Sequence, residues 1–224
     1  VEFELPAAGY NNICIGEDTG SSFNVYNTAA ARRNILIGDN AGKDLIFMPD
    51  CIAIGYNAMA NVGGQEYGKN IAIGNGAMEN DTSGYINSGI AIGYEAMHDA
   101  TNGDDCIGIG TAALANNTGD KCVAIGQYAL NNNTTGTSNV AVGYQAGRFN
   151  TEGYENTALG YIAGYGNSTG DFNVYIGAWS GYATSTADHN TGVGYKALDS
   201  ITSGTSNTSL GSGAGDTITT GDFN

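Results

Sequence analysis

The sequence predicts an all-β protein, a parallel β-solenoid or β-roll of about twelve rungs with a 17-residue period. Glycine accounts for 36 of the 224 residues, and glycine this frequent disfavours helices, at about 1 kcal/mol per site. A motif of asparagine, apolar, small, apolar, glycine, x, x, alanine also repeats, as in NIAIGNGAM and NVAVGYQAG. Its glycines are spaced by 22, 17, 19, 19, 17 and 16 residues, then five times by 17. They are Gly16, Gly38, Gly55, Gly74, Gly93, Gly110, Gly126, Gly143, Gly160, Gly177, Gly194 and Gly211.

The three residues before each glycine predict a short strand. A bulky apolar residue precedes the glycine directly, from Ile15 to Leu210, and a second, mostly β-branched row lies two residues earlier. These two rows share one face because side chains alternate along a strand. The row between them is mostly alanine or glycine, so each strand has a bulky face and a tight face. The pattern does not decide which face points into the coil.

The remaining positions of the repeat predict two chain corners and a ladder of stacked asparagine side chains. The glycine after the strand suits a corner, and a small-residue row follows it from Ala41 to Ala214. A second glycine row, including Gly136 and Gly170, predicts another corner that leads into a polar strand. The Met59 column, which continues to Leu130 and is later replaced by glycine, predicts additional core. Asparagine precedes most strands and predicts a stacked amide ladder, with ligand contact as the alternative. Its members include Asn70, Asn139, Asn156, Asn173, Asn190 and Asn207.

The composition excludes several functions. Seven basic residues against 22 acidic ones give a net charge of −15, which argues against nucleic-acid partners. Apolar runs fall far short of the roughly 20 residues of a membrane span, so no membrane insertion is expected. The four cysteines match no metal motif and are expected to be free thiols; three of them, Cys51, Cys106 and Cys122, replace asparagine in the ladder column.

No catalytic, cofactor-binding or metal site is predicted, and we expect no enzyme. The two histidines, His98 and His189, lie in polar loop positions where solvated side chains are expected. GDNAGKD lacks the glycine spacing of a phosphate loop. Calcium at the acidic second corner is the alternative to solvated loops, but the nine-residue calcium repeat is missing. The acidic residues there are Asp104, Asp105, Asp120, Asp171 and Asp222.

The repeated N-[VI]-A-[IV]-G-x-x-A motif resembles the head repeats of trimeric autotransporter adhesins and, more closely, the NTALGYQAG-type repeats of bacteriophage tail fibres. The resemblance covers residues 11–224, which we take as one repeat domain continuing past the chain; residues 1–10 are expected to form a cap or connector. It implies a left-handed roll in which three chains assemble about a shared axis. The adhesin repeat is shorter, so the 17-residue period implies a longer corner or loop.

Aromatic residues beside the corner are the candidate contacts for a receptor, because tyrosine and tryptophan stack on sugars and favour binding surfaces. The alternative is that they pack along the rungs. The candidates are Tyr56, Tyr94, Tyr144, Tyr161, Trp179, Tyr182 and Tyr195.

The function expected from these observations is a structural fibre or spike component of a phage virion that presents a host-attachment surface. Its partners would be two sister chains and a host cell-surface glycan or protein. The alternative is the head of a trimeric adhesin on a bacterial cell surface. An ice-binding solenoid is a third hypothesis, but it requires flat threonine arrays, and no regular Thr-x-Thr column is present.

Overall fold

The computed structural model describes residues 11–22, 32–46, 48–62, 68–81, 86–101 and 103–223. The predicted cap, residues 1–10, lies outside these ranges. The chain divides into two compact units, Val1–Ala112 and Ala113–Asn224. The first unit contains strands β1 Ile13–Ile15, β2 Ile35–Ile37, β3 Ile52–Ile54, β4 Ile71–Ile73, β5 Ile90–Ile92 and β6 Ile107–Ile109. The second contains β7 Val123–Ile125, β8 Val140–Val142, β9 Thr157–Leu159, β10 Val174–Ile176, β11 Thr191–Val193 and β12 Thr208–Leu210.

Within each unit the strands pair in parallel and in chain order, so every repeat forms one rung of a β-solenoid. Ile71 pairs with Ile90 in the first unit, and Val140 pairs with Thr157 in the second. The corner glycine continues the pattern, because the Gly160 amide donates to the Val142 carbonyl at 2.8 Å. The all-β solenoid and its repeat of about 17 residues are therefore confirmed.

The tight face of each strand points inward and the bulky face points outward. From β2 to β11 the central residue is buried while its two neighbours are half-buried or exposed, as for Ala72 between Ile71 and Ile73. In the first unit all twelve outward positions are isoleucine. In the second unit they are valine, isoleucine, leucine and threonine. Each unit thus carries an uncharged, mostly β-branched face, which we call the outer face.

The interior is filled by residues of the turn that follows the strand. Ala58, Ala77 and Ala96 are fully buried there. The residue directly after each of these alanines adds a large side chain, and the backbone of this column is left-handed, with φ of +55° at Met59 and +57° at Gly147. The predicted core role of this column is confirmed, and Leu198 joins it after three glycines. Its large buried members are Met59, Met78, Met97, Leu114, Leu130 and Leu198.

Where the Met59 column holds glycine, a large residue on the inward face of a strand fills the space instead. The Tyr175 ring fills the space beside Gly181, and its Cδ2 atom would lie 3.3 Å from a Cβ atom at Gly164. Tyr175 is 1% exposed, and this burial raises the pKa of its hydroxyl. Among the residues that the structure describes, the buried hydroxyl oxygen has no hydrogen-bond partner, and the nearby side chains of Thr184 and Asn190 act against the rise in its pKa. A cavity of about 10 Å³ remains between the ring and Leu130.

Replacing Tyr175 with alanine is therefore expected to destabilise the protein by about 3–5 kcal/mol, because the existing cavity would grow by the volume of the ring. Tyr175→Phe keeps the ring and removes only the hydroxyl, so its free energy of unfolding should stay within about 1 kcal/mol of the parent. Urea denaturation followed by circular dichroism measures both. A phenylalanine variant as unstable as the alanine variant would contradict this account of the interior.

The polar segment, predicted as a second strand, forms no strand in the described residues. Instead, the amides of Thr134, Thr135 and Gly136 all donate to the Thr151 carbonyl of the next rung, at 2.9, 3.0 and 3.2 Å. The Thr134 hydroxyl donates to the same oxygen at 2.8 Å. This side of the coil is therefore held by one carbonyl per rung rather than by a β-ladder.

The second glycine row is explained by a second amide ladder, which lies inside the second unit. Asn150 Nδ2 donates to Asn133 Oδ1 at 2.6 Å and to the Gly153 carbonyl at 2.9 Å. A Cβ atom at Gly136 would lie 2.6 Å from Asn133 Oδ1, so only glycine fits there. Where Thr184 replaces the asparagine, Ala187 replaces the glycine.

Candidate functional site

The candidate site is a continuous group of aromatic side chains on the turns of the second unit. Tyr144 stacks on Tyr161 with ring centroids 5.3 Å apart, and Tyr161 contacts Trp179 at 6.0 Å. Trp179 contacts Tyr182 at 4.8 Å, which in turn stacks on Tyr165 at 5.4 Å. These turns sit directly after the corner glycines, so stacking of the rungs brings residues 17 apart into contact.

The group continues through an edge-on contact and a cation. Phe149 meets Tyr165 edge-on at 4.9 Å. The Arg148 guanidinium lies 5.0 Å from the centroid of the Tyr128 ring and 5.3 Å from that of Phe149. We call this set the aromatic cluster: Tyr128, Tyr144, Arg148, Phe149, Tyr161, Tyr165, Trp179 and Tyr182.

Much of the ring surface in the cluster remains open to solvent. Tyr161 is 49% exposed, and Tyr144, Phe149 and Tyr182 are between 37% and 39% exposed. The polar atoms lie at the rim, where Gln145 Nε2 donates to the Tyr144 hydroxyl at 3.1 Å. The cluster therefore presents exposed apolar ring surface bordered by hydrogen-bonding groups and one positive charge.

The structure brings together four of the seven aromatic residues predicted as contacts, Tyr144, Tyr161, Trp179 and Tyr182. Tyr195 lies in the column of Tyr161, but Ala178 occupies the rung between them, and Tyr195 contacts Lys196 at 5.8 Å instead. Tyr56 and Tyr94 are exposed and belong to the first unit.

Sequence reasoning missed Tyr128, Arg148, Phe149 and Tyr165. The signal that could have found two of them is their spacing, since Arg148, Tyr165 and Tyr182 recur at intervals of 17. Phe149 and Tyr128 fall in other columns, and only the fold of the turn places them beside the cluster.

In the first unit the columns of Trp179 and Tyr182 carry polar side chains, while the Tyr161 column still holds tyrosine at Tyr56 and Tyr94. Asn40 donates to Asn57 at 2.9 Å, and Asn57 donates to Glu79 at 2.9 Å. His98 lies 3.5 Å from Glu79 and 3.0 Å from Asp99, so it is not the solvated side chain that we predicted. Burial raises the pKa of Asp99, but hydrogen bonds from Asn80 and His98 outweigh it, and the net shift is downward. The rungs of the first unit therefore stack without tyrosine or tryptophan at the Trp179 and Tyr182 columns.

His189 is exposed, as predicted for a loop histidine, but its ring also packs on a neighbouring rung. It stacks on Phe172 with centroids 4.9 Å apart and rings within 5° of parallel, and Phe172 meets Tyr154 edge-on at 5.0 Å. The charge of Asp171 raises the pKa of Tyr154. This shorter stack lies on the second-corner side of the rungs.

Three of the five acidic residues considered for calcium accept backbone amides of a neighbouring rung. Asp171 accepts the Tyr154 amide at 2.9 Å, and Asp222 accepts the Thr205 amide at 2.7 Å. Asp104 accepts the Asn87 amide at 2.8 Å. Within the described ranges no three His, Cys, Asp or Glu side chains converge as metal ligands would.

The asparagine column before the strands is a buried structural ladder, as predicted. Asn156 Oδ1 accepts the Asn173 amide at 2.9 Å, and Asn173 Oδ1 accepts the Asn190 amide at 3.0 Å. The column is closed to a ligand because Asn70, Asn173, Asn190 and Asn207 are fully buried.

All four cysteines are thiols outside any disulfide, as predicted. Burial raises the pKa of the Cys51 thiol to about 11, and it also raises the pKa of Cys14. The Cys51 and Cys122 sulfurs lie 3.5 Å from the carbonyls of Pro49 and Asp120. Neutral thiols therefore take the place of the ladder amides.

Comparison with protein-family models, with curated proteins and with solved structures finds no match to this chain. Among the described residues, none belongs to a helix of the length and apolarity needed to cross a membrane.

Proposed function

We propose that this chain is a non-catalytic structural component of a virion fibre or spike, that three copies assemble side by side, and that the assembly presents an attachment surface. The observation that carries the proposal is the outer face. In the first unit its twelve side chains are all isoleucine, and Ile13 is 50% exposed. A monomer gains nothing from keeping such a face in water, because each buried aliphatic side chain contributes roughly 1.5–3 kcal/mol.

A sister chain is the occupant that fits this face best. Parallel strands place one pair of isoleucines every 4.7–4.9 Å or so, and a second copy of the chain carries the same spacing. The face contains no charge, whereas the chain as a whole carries −15, so copies repel one another elsewhere and can meet here. That three chains assemble, and that the coil is left-handed, is proposed from the resemblance to fibre and adhesin head repeats.

Light scattering of the intact protein tests the assembly. We expect a mass of about three times 22.9 kDa for the parent and 22.9 kDa for Ile71→Lys, because a lysine on the outer face would place a charge in the interface. Asn75→Lys adds the same charge on an exposed turn off this face and should keep the parent mass.

Ile71→Thr is the control for misfolding, since threonine occupies the same position of the strand in β9, β11 and β12. It should keep the strand content of the parent by circular dichroism while weakening assembly. A parent that elutes as a clean 22.9 kDa monomer, or a lysine variant that keeps the full mass, would contradict the proposal.

Antibody labelling tests where the assembly is located. Antibodies against this chain should decorate a fibre of purified virions in electron micrographs. Labelling of bacterial envelopes with unlabelled virions would favour the adhesin head instead.

A further inference from the structure

We propose that the aromatic cluster binds a linear, neutral polysaccharide, with the sugar rings laid along the stacked tyrosines. This inference rests on the proposed attachment function and names the class of ligand that the surface takes. The first support is that the cluster is not needed for folding. In the first unit the columns of Trp179 and Tyr182 hold Asn57, Glu79 and His98, which are joined by hydrogen bonds and contacts between polar groups, and only the Tyr161 column keeps tyrosines, Tyr56 and Tyr94.

The second support is exposure. The second unit buries an aromatic ring where its interior has room, as the 1% exposure of Tyr175 shows, yet it leaves Tyr161 at 49%. Six of the seven rings form one chain of ring contacts, and Arg148 links the seventh, Tyr128, to that chain, so the rings form one apolar patch rather than scattered surface residues. Contiguous exposed patches of this kind mark binding surfaces.

The third support is the geometry of the rings. Tyr144 and Tyr161 are nearly parallel, with an interplanar angle of 12°, and so are Tyr165 and Tyr182, at 16°. Their centroid separations of 5.3 and 5.4 Å follow the rung repeat. That separation is close to the length of one pyranose in a linear chain, so successive sugars can meet successive rings.

The fourth support is chemistry. A pyranose offers an apolar C–H face to an aromatic ring and hydroxyls to the rim, where the Tyr144 hydroxyl and Gln145 lie. The chain carries −15, so a polyanion would be repelled by most of the surface. Arg148, the cation in the cluster, is already engaged by Tyr128 and Phe149. A neutral glycan meets these conditions, whereas a strongly acidic one does not.

The experiment uses Trp179, which is the only tryptophan of the chain and lies within the cluster. Its fluorescence is titrated with cellohexaose, chitohexaose and maltohexaose, and with oligogalacturonate as an anionic comparison. We expect a saturable change with at least one neutral hexasaccharide and a weaker response to its trisaccharide, because fewer rings would be covered. Oligogalacturonate should give no saturable change.

The variants locate the site. Tyr161→Ala and Tyr182→Ala should each weaken binding at least 10-fold, while Tyr195→Ala should leave it within 2-fold. Tyr195 is the matched control because it has the same column and similar exposure, 53%, but no ring contact with the cluster in the described residues. Far-ultraviolet circular dichroism verifies that all three variants are folded.

Three results would overturn the inference: no saturable response to any neutral hexasaccharide, a response to oligogalacturonate alone, or equal losses in Tyr195→Ala and Tyr161→Ala. The proposed assembly is judged separately by light scattering. A monomer that still binds the sugar would end the fibre proposal and keep this one, and a trimer that binds none would do the reverse.

Discussion

Gly160→Ala should destabilise the second unit by about 4 kcal/mol or more, which places it among the most damaging single substitutions. Gly160 has φ of +140°, a conformation that residues with a side chain rarely adopt and that costs about 1–3 kcal/mol. A Cβ atom there would also lie 2.7 Å from the carbonyl carbon of Gly177 and 2.8 Å from its oxygen. Because that neighbour is backbone, it can move only by opening the hydrogen bonds between rungs. Urea denaturation followed by circular dichroism measures the loss.

Gly211→Ala separates the two contributions. Gly211 has a comparable φ of +123°, but a Cβ atom at this position would meet nothing within 4 Å. Only the conformational cost applies, so the loss should be about 1–3 kcal/mol. Equal losses at the two positions would show that the close approach of successive glycines contributes little.

Asn173→Ala is expected to cost about 2–5 kcal/mol. Asn173 Nδ2 donates to the Ala187 carbonyl at 2.6 Å, and its Oδ1 accepts the Asn190 amide at 3.0 Å. Both partners lie in buried backbone, and each unsatisfied buried group costs about 1–3 kcal/mol. The loss would appear as a lower urea midpoint and a lower melting temperature.

Two further variants make the ladder prediction specific. Asn173→Cys should lose clearly less than Asn173→Ala, because Cys122 occupies this column and its sulfur lies 3.4 Å from the Gly136 carbonyl. Asn75→Ala removes an exposed asparagine outside the ladder and should stay within about 0.5 kcal/mol. If Asn173→Ala were as stable as Asn75→Ala, the ladder would not hold the rungs together.

Strand positions were predictable from the sequence because every strand is followed by the same glycine. The two faces were also separable, since Ile71 and Ile73 alternate with Ala72 along one strand. Which of the two faces points into the coil could not be predicted, because isoleucine is as common inside a protein as at an interface. The width of the coil decides which face points inward. Met78 and Ala77 already fill the interior, and only a small residue fits beside them.

The aromatic cluster was only partly predictable for a related reason. Tyr144 and Tyr161 share a column, so a repeat alignment alone brings them together. Trp179 and Tyr182 are three residues apart in one turn, and their contact depends on how that turn closes. The polar segment was predicted as a strand because a second glycine corner leads into it. Its amides and a threonine hydroxyl instead converge on one backbone carbonyl of the next rung.

The regular register of the second unit has a consequence for how such a chain can evolve. Each rung there bonds to its neighbours through equivalent atoms, as the pairings of Val140 with Thr157 and of Thr191 with Thr208 illustrate. Duplication or loss of one whole repeat, as by recombination between similar gene segments, would therefore leave every remaining junction unchanged. The number of rungs can then vary between lineages without any change in how neighbouring rungs pack. Substitutions confined to the turns would meanwhile diversify the side chains exposed on the surface.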